Sequence, residues 1–511
     1  MEYNRDMARD HVEVGATYSV PPEMALPSLD DLAGVATVDP PVNQDLVADY
    51  LDTDDLRLAR LGITLRRRSG GEDSGWHLKV PVAGARHEVH EPYTVDLAPP
   101  APLLDALQGV VRGRALSPQV TIRTSREVRR LRDAEGSVLA DVVDDHVHAE
   151  RWTSGDRATT WREWEIELVQ GDVALLNGVS GRVEIAGAQA AAHASQLARA
   201  LGECGMAVGA ARADDASPTL AREVVWARLR DLEARLLRWD VLVRRDAEDS
   251  VHQVRVTVRR LRSALATFRP MFDRDRTEPL RAELRWLGLL LGDARDAEVL
   301  RDRIGDLAGG DDPRLLDRGS ITSAHEMLAR RYRDNHDRLV REMESPRYAA
   351  LVDSLEHLVA EPPFAPGDVD REAGALRTHV RHDWKRLATA VDRTDQVLDV
   401  ETRQHRLHEV RKAAKRTRYA AEPLIPIYGP DAERFVMAVE EIQESLGDLN
   451  DALISLHELQ RLALDESARS HDTSTLVLLR TREQEAADAS EARFTKAWHQ
   501  SRRRTVLRWL G

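Results

Sequence analysis

Val251-His252-Gln253-Val254-Arg255-Val256-Thr257-Val258-Arg259-Arg260-Leu261-Arg262 and, 156 residues further on, Leu407-His408-Glu409-Val410-Arg411-Lys412-Ala413-Ala414-Lys415-Arg416-Thr417-Arg418 are two versions of one phrase. At about 100° per residue, His252, Arg255, Arg259 and Arg262 fall on one side of a helix, and Val254, Val258, Leu261 and Leu265 fall on the other. The second version puts His408, Arg411, Lys415 and Arg418 on the charged arc and Val410, Ala414, Thr417 and Ala421 on the packing arc, while Arg260, Lys412 and Arg416 widen the stripe. A second phrase follows each time: Leu291-Gly292-Asp293-Ala294-Arg295-Asp296, then Leu446-Gly447-Asp448-Leu449-Asn450-Asp451 at an offset of 155. Two signatures in the same order at nearly one offset mean a duplicated helical unit, with halves at about 219–360 and 369–511.

The helical pattern extends from Ala221–Arg245 to residue 511, with breaks expected at Pro270, Asp311-Asp312-Pro313 and Glu361-Pro362-Pro363. Upstream, residues 11–185 read as β-rich. Segments Leu46–Leu51, Ile63–Arg68, Trp76–Val80, Val120–Arg123, Val138–Val143 and Trp161–Val169 are separated by turns such as Ser69-Gly70-Gly71, which predicts an antiparallel barrel or sandwich. One helix is expected at Ala101–Val110 and another at Ala188–Leu201. Small and polar residues mark a linker at 206–218, leaving an α+β chain of a β domain at 11–205 and an all-α domain at 219–511.

At 511 residues the chain exceeds one compact core, and its 42% hydrophobic content excludes wholesale disorder. The single cysteine, Cys204, forms no internal disulfide, which suits a reducing cytoplasm. Residues 1–20 lack an apolar secretory run, and no later segment has the length of a membrane span, so neither export by an N-terminal signal nor membrane insertion is expected. The net charge of −14 is concentrated in residues 1–210, which hold 21 basic and 33 acidic residues. Residues 211–511, with 52 and 54, are nearly neutral, so any anion site there is a local, one-sided arrangement.

The stripes are such arrangements. Residues 252–262 hold four arginines and 410–418 hold five basic residues, with no acid in either stretch. Like charges at i,i+4 destabilise a helix by a few tenths of a kcal/mol per pair, roughly, and a bound anion offsets that cost. Arginine grips phosphate through a fixed fork and lysine as a point charge. Each stripe runs about 15 Å, room for several phosphates. Only Tyr419 lies near them as an aromatic, so base stacking has no platform and nucleic acid is disfavoured as a partner. His252 and His408 suit phosphate donors or ordinary hydrogen-bonded groups better than catalytic bases, because no nucleophile accompanies both. Asp293, Asp296, Asp448 and Asp451 either hold a divalent cation or pair with the basic helices. Two carboxylates alone specify no cation, which favours pairing.

With both phrases present in both halves, residues 219–511 resemble a CHAD domain, a histidine-containing helical domain associated with inorganic polyphosphate. The resemblance implies two pseudo-symmetric four-helix bundles whose basic helices line a polyphosphate groove, and attachment to polyphosphate granules in the cytoplasm. The residues it assigns to the groove are His252, Arg255, Arg259, Arg260, Arg262, His408, Arg411, Lys412, Lys415, Arg416 and Arg418, with no cofactor needed for binding.

In the β domain, strand alternation puts Arg66 with Arg68, and Glu165 with Glu167, on one face of their strands. Together with Trp76-His77-Leu78-Lys79, these segments make 11–205 resemble a CYTH domain, the triphosphate tunnel fold. That resemblance implies phosphate contacts at Arg66, Arg68, Lys79 and Arg123, with Ser125 as the next inward position, and Mg²⁺ or Mn²⁺ at Glu165 and Glu167 if the tunnel is active. The family's Glu-x-Glu-x-Lys strand departs here to Glu13-Val14-Gly15-Ala16-Thr17, and an expected Ser-Lys-Leu reads Ser195-Gln196-Leu197. Loss of one carboxylate and two cations predicts reduced or absent hydrolysis, with Glu13, Glu165 and Glu167 the remaining catalytic candidates. A polyphosphate binder with a degraded tunnel is therefore the leading expectation. A metal-dependent triphosphatase or polyphosphatase is the alternative.

Overall fold

The structure, a computed structural model, describes residues 9–71, 73–82, 85–152, 158–193, 195–203, 206, 218–309, 318–394, 396, 399–468 and 474–511. Cys204, most of the expected linker and the Asp311-Asp312-Pro313 break lie outside the described residues. The chain divides into two compact units, 1–213 with 240–245, and 214–239 with 246–511.

The first unit is an antiparallel sheet of β1 (Arg9–Glu13), β2 (Gly15–Ser19), β3 (Thr37–Val38), β4 (Val42–Asp52), β5 (Thr64–Ser69), β6 (Gly75–Val82), β7 (Ala85–Pro92), β8 (Ser117–Arg132), β9 (Val138–Arg151), β10 (Ala158–Leu168) and β11 (Gln189–Ala190). The hydrogen-bonded order is β1-β7-β6-β5-β4-β8-β9-β10-β2-β11, with β3 paired to β8. β1 and β2 adjoin at Val14, yet one pairs with β7 and the other with β10. Residues 9–19 therefore join the two ends of the path, and the sheet closes on itself. The β5–β6 turn needs positive φ at Gly70 and Gly71, which glycine supplies without strain.

Helices α1 (Arg57–Arg60), α2 (Ala101–Val111), α3 (Val173–Ile185) and α4 (Gln196–Glu203) complete this unit. The α3 helix starts where Asp172 accepts a bond from Leu175 N at 2.9 Å, and its apolar face covers the outside of the sheet through Leu175, Val179 and Val183 against Trp164 and Ile166. Leu197, Ala200 and Leu201 of α4 pack on Ala48, Tyr50, Val120, Ile122, Val147 and Trp161. Register puts those strand residues on the inner face, so α4 plugs the interior with apolar surface. The single helix expected over 188–201 is replaced by β11, which pairs with β2, and the shorter α4.

The second unit contains α5 (Ala221–Arg244) as far as Trp239, α6 (Ser250–Thr267), α7 (Arg274–Gly309), α8 (Arg318–Met343), α9 (Pro346–Ala360), α10 (Arg377–Thr394), α11 (Val400–Ala421), α12 (Ile425–Tyr428), α13 (Pro430–Ala468), α14 (Ser474–Ser501) and α15 (Arg504–Leu507). Before Pro270 the chain leaves α6, and before Pro362-Pro363 it leaves α9, as the missing proline donor requires. The repeat is visible in the packing: α6 lies on α7, α11 lies on α13, and α6 and α11 meet. Val254, Val258, Leu261 and Leu265 of α6 and Val410, Ala414, Thr417 and Ala421 of α11 are all buried. Each fully buried Leu or Val contributes about 1.5–3 kcal/mol, so this apolar face fixes which way the basic face turns. Thr417 joins the apolar set because its hydroxyl bonds back to Ala413 O at 2.9 Å.

Candidate functional site

The basic faces of α6 and α11, with α7 and α13, enclose a cavity of about 430 Å³. Its wall carries eight basic side chains (Arg255, Arg259, Arg260, Arg295, Arg303, Arg411, Lys415 and Arg418) against Asp296, Glu444, Asp448 and Asp451, with His252 beside them. Some of these charges are committed. Arg255 pairs with Asp296 at 3.1 Å, Arg295 with Glu298 at 2.7 Å, and Arg303 forms a fork on Glu483 at 2.6 and 2.8 Å. Glu422 ties Arg260 at 3.0 Å and Arg418 at 3.3 Å. Arg259, Arg411 and Lys415 have no carboxylate at ion-pair distance among the described residues.

Those three basic groups crowd one another. Burial first, then the charges of Arg259, Arg411 and Arg255, push Lys415 down to about 5, with Asp451 opposing. Burial also lowers Arg411, whose Nε lacks a hydrogen-bond partner. A Cβ on Gly447 would lie 3.3 Å from the Arg411 guanidinium, so the glycine of the second phrase gives that side chain its seat. At its counterpart Gly292 nothing from elsewhere in the fold lies within 4 Å, so the two halves differ at this point. Tyr419 is covered by the guanidinium groups of Arg260, Arg418 and Arg259 at 5.2, 5.8 and 5.9 Å from its ring, and Arg259 Nε donates to its hydroxyl at 3.2 Å. Its face is thus occupied by cations.

Inside the closed sheet the charges are arranged differently. Arg68 binds the Asp73 carboxylate and its carbonyl, Lys79 meets Glu88 at 3.3 Å, and Arg66 donates to the Tyr50 hydroxyl at 3.1 Å. Burial and the neighbouring Arg66 bring Arg68 down to about 10. Arg126 forms a fork on Asp145 at 2.7 and 2.8 Å and reaches Glu165 at 3.2 Å. Glu163 is pushed up to about 7 by burial and by the charges of Glu165 and Asp145.

Arg123 corrects the sequence expectation. It is 55% exposed on the outer face and pairs with Glu150 at 3.4 Å. The even-numbered positions of β8 face inward, so Arg126, not Arg123 or Ser125, is the arginine of that strand beside Glu165. Glu13 ends β1 opposite Arg86, its side chain lying outside the described residues. Across from Glu165 and Glu167 stand Thr17 and Gly15, and a Cβ at Gly15 would meet Ile166 O at 2.3 Å. That backbone excludes a second carboxylate there, and Arg126 already occupies Glu165. Glu165 and Glu167 thus share the inner face, with Arg126 on Glu165 and no second carboxylate opposite them on β2. Gln196, where a lysine was expected, donates to Asp145 at 3.0 Å.

Residues 27–188 match the CYTH domain family and residues 227–460 match the CHAD domain family. Over 496 residues, 94% of each chain, the sequence is 35% identical to "Uncharacterized protein Rv2226" of Mycobacterium tuberculosis (strain ATCC 25618 / H37Rv) and to "Uncharacterized protein MT2285" of Mycobacterium tuberculosis (strain CDC 1551 / Oshkosh). The chain belongs to the family that joins a CYTH domain to a CHAD domain. Among solved structures, "PptA from Streptomyces chartreusis" is 21% identical with a TM-score of 0.46, covering 55% of this chain and 100% of that one. The "CHAD domain from the plant Ricinus communis" is 24% identical with a TM-score of 0.38, covering 57% of this chain and 92% of that one. Among the described residues no helix is long and apolar enough to cross a membrane.

Within the CHAD domain, seven of the eleven residues assigned from the sequence line the cavity: His252, Arg255, Arg259, Arg260, Arg411, Lys415 and Arg418. The other four lie outside its lining. Arg416 is held by Asp383 at 2.8 Å and by Ala266 O at 2.9 Å, tying α11 to α10 and α6. Lys412 pairs with Glu409 at 2.9 Å on an exposed turn, and Arg262 lies near Arg281 and Arg285. His408 Nδ1 faces the Asn450 amide oxygen at 3.3 Å behind the wall. Burial lowers both histidines below the usual imidazole value, Arg295 adding to this at His252 and Lys412 at His408. Arg295 and Arg303 were missed, although Asp296, Val299, Leu300 and Arg303 follow i, i+3, i+4, i+7 and share one face of α7. Asp296 pairs with Arg255 as the second phrase suggested, while Asp448 turns to Arg493 at 2.6 Å and Asp293 to Arg338 at 3.6 Å.

Proposed function

We propose that this protein binds inorganic polyphosphate in the CHAD cavity, at polyphosphate granules in the cytoplasm. The observation that carries the reading is the convergence of Arg259, Arg411 and Lys415 without a carboxylate partner among the described residues. A bound phosphate chain supplies the missing negative charge through charge-assisted bonds, each contributing about 1.5–3 kcal/mol. Tyr419 is sheathed in guanidinium groups and offers no face to a base, which favours a phosphate backbone over a nucleic acid. The CYTH domain acts in this reading as a structural and accessory anion-binding unit, not a hydrolase, because Arg126 pairs with Glu165 and Asp145 and β2 offers Thr17 and Gly15 in place of further ligands. Titration of the full chain with long-chain polyphosphate, with phosphate release from tripolyphosphate followed in Mg²⁺ or Mn²⁺, tests both halves of the reading. Tight, salt-sensitive binding without release is expected. Metal-dependent turnover lost in Glu165→Gln would replace it with the triphosphatase reading.

A further inference from the structure

A second cluster lies on the inner face of the CYTH sheet, at the β5–β6 turn, and the polyphosphate reading does not use it. The ligating atoms of Asp73, His77 and His90 all lie within 4.8 Å of one another. Asp73 Oδ1 is 3.6 Å from His90 Nε2, and Asp73 Oδ2 is 3.8 Å from His77 Nε2. The two imidazoles stand opposite each other on β6 and β7, ring centroids 4.8 Å apart. Behind His77 the buried Glu88 carboxylate accepts from Nδ1 at 2.8 Å, which fixes the ring and turns Nε2 toward the cluster.

Three features of the cluster are unexplained by packing. His90 Nε2 is buried without a hydrogen-bond partner. A Cβ at Gly75 would lie 2.3 Å from that nitrogen, so the absence of a side chain at Gly75 makes its place. His77 Nε2 faces Asp73 O at 3.1 Å while Nδ1 already serves Glu88, and a neutral imidazole has one proton for two acceptors.

We infer that Asp73, His77 and His90 form a binding site for one divalent transition-metal ion of the Zn²⁺ class, with Glu88 as the carboxylate behind the His77 ligand. Two imidazole nitrogens and one carboxylate suit Zn²⁺ and its neighbours, and reject Mg²⁺, which requires oxygen ligands. At bond lengths of about 2.0–2.1 Å the three ligands must draw in by about 1 Å, a movement the exposed Asp73 turn accommodates. A cation on His77 Nε2 takes the role of the missing proton, and one on His90 Nε2 gives that nitrogen its partner. Arg68 keeps its bonds to Asp73 O at 3.1 and 3.2 Å when the carboxylate turns to the metal. Three protein ligands leave a fourth position for water or a phosphate oxygen.

The test titrates the full chain, stripped with a chelator, with Zn²⁺ against a chromophoric indicator, beside Asp73→Ala, His90→Gln and His146→Ala. One Zn²⁺ per chain is expected, weakened at least tenfold in Asp73→Ala and His90→Gln and unchanged in His146→Ala, whose ring is 59% exposed outside the cluster. X-ray absorption of the loaded chain should give a shell of nitrogen and oxygen at about 2.0–2.1 Å. Asp73 sits on an exposed turn, so Asp73→Ala serves even where His90→Gln does not fold. Absence of stoichiometric Zn²⁺, or affinity that both cluster variants retain, overturns the assignment, whatever the polyphosphate titration gives.

Discussion

The two domains contain similar basic side chains and use them in opposite ways. In the CYTH interior, Arg68, Lys79 and Arg126 each meet a carboxylate, and the positive charge is largely spent within the fold. In the CHAD cavity Arg259, Arg411 and Lys415 are left facing one another. A count of basic residues does not separate these cases. What separates them is whether the fold supplies the counter-charge or leaves that to a ligand.

The contrast breaks most decisively under charge reversal. Replacing Arg255, Arg259, Arg411 and Lys415 together by Glu should abolish polyphosphate binding, by more than about 1000-fold, with helical circular dichroism retained. If affinity survives, the unpaired cations are not the site. Arg126→Met should do the reverse. Leaving Asp145 and Glu165 without their partner costs about 3–5 kcal/mol in denaturant unfolding of the CYTH domain, while polyphosphate affinity stays within about twofold.

Lys415→Met sharpens the contrast, because here binding and stability move in opposite directions. Affinity should fall by roughly 10- to 100-fold, from a loss of about 1.5–3 kcal/mol, while the melting temperature of the ligand-free protein rises. Lysine at about 5 in the folded protein, against 10.5 as an ordinary lysine, means the folded state binds fewer protons than the unfolded state between those values. Stability therefore increases with pH across that window, and the substitution flattens the slope. Anion binding restores the proton, so polyphosphate should bind more tightly as pH falls from 8 toward 6. Calorimetry in buffers of different ionisation enthalpy measures the uptake, expected to be close to one proton per chain at neutral pH. Gly447→Ala is the mildest change: a methyl 3.3 Å from Arg411 shifts the guanidinium by a few tenths of an ångström and weakens binding by about two- to fivefold in the same titration.

The helical half was legible because its signal is local. Val254, Val258, Leu261 and Leu265 mark the buried side of α6 without reference to any other helix, and Val410, Ala414 and Thr417 do the same for α11. Lys415 was placed correctly on the charged arc, but its burial was not, because α6 and α13 close over it from far along the chain. Arg416 was misjudged for the same reason: its partner Asp383 belongs to α10, and nothing near position 416 announces it. The β8 error was avoidable. The apolar side chains Val120 and Ile122 are two apart and both buried, and extending that step leads through Thr124 to Arg126. Reading the strand from its basic residue rather than from its apolar ones reversed the parity.

The closed sheet sets an order on synthesis. β2, at residues 15–19, has its partner in β10, which begins at Ala158, and β1 has its partner in β7, which begins at Ala85. While the ribosome completes the intervening hairpins, β2 has emerged long before its partner and pairs after β1 has met β7, exposing unsatisfied strand edge to other nascent chains. Closure of the barrel is thus the slow, long-range step of its folding, and the interval before β10 emerges is when a chaperone that masks strand edges would matter most.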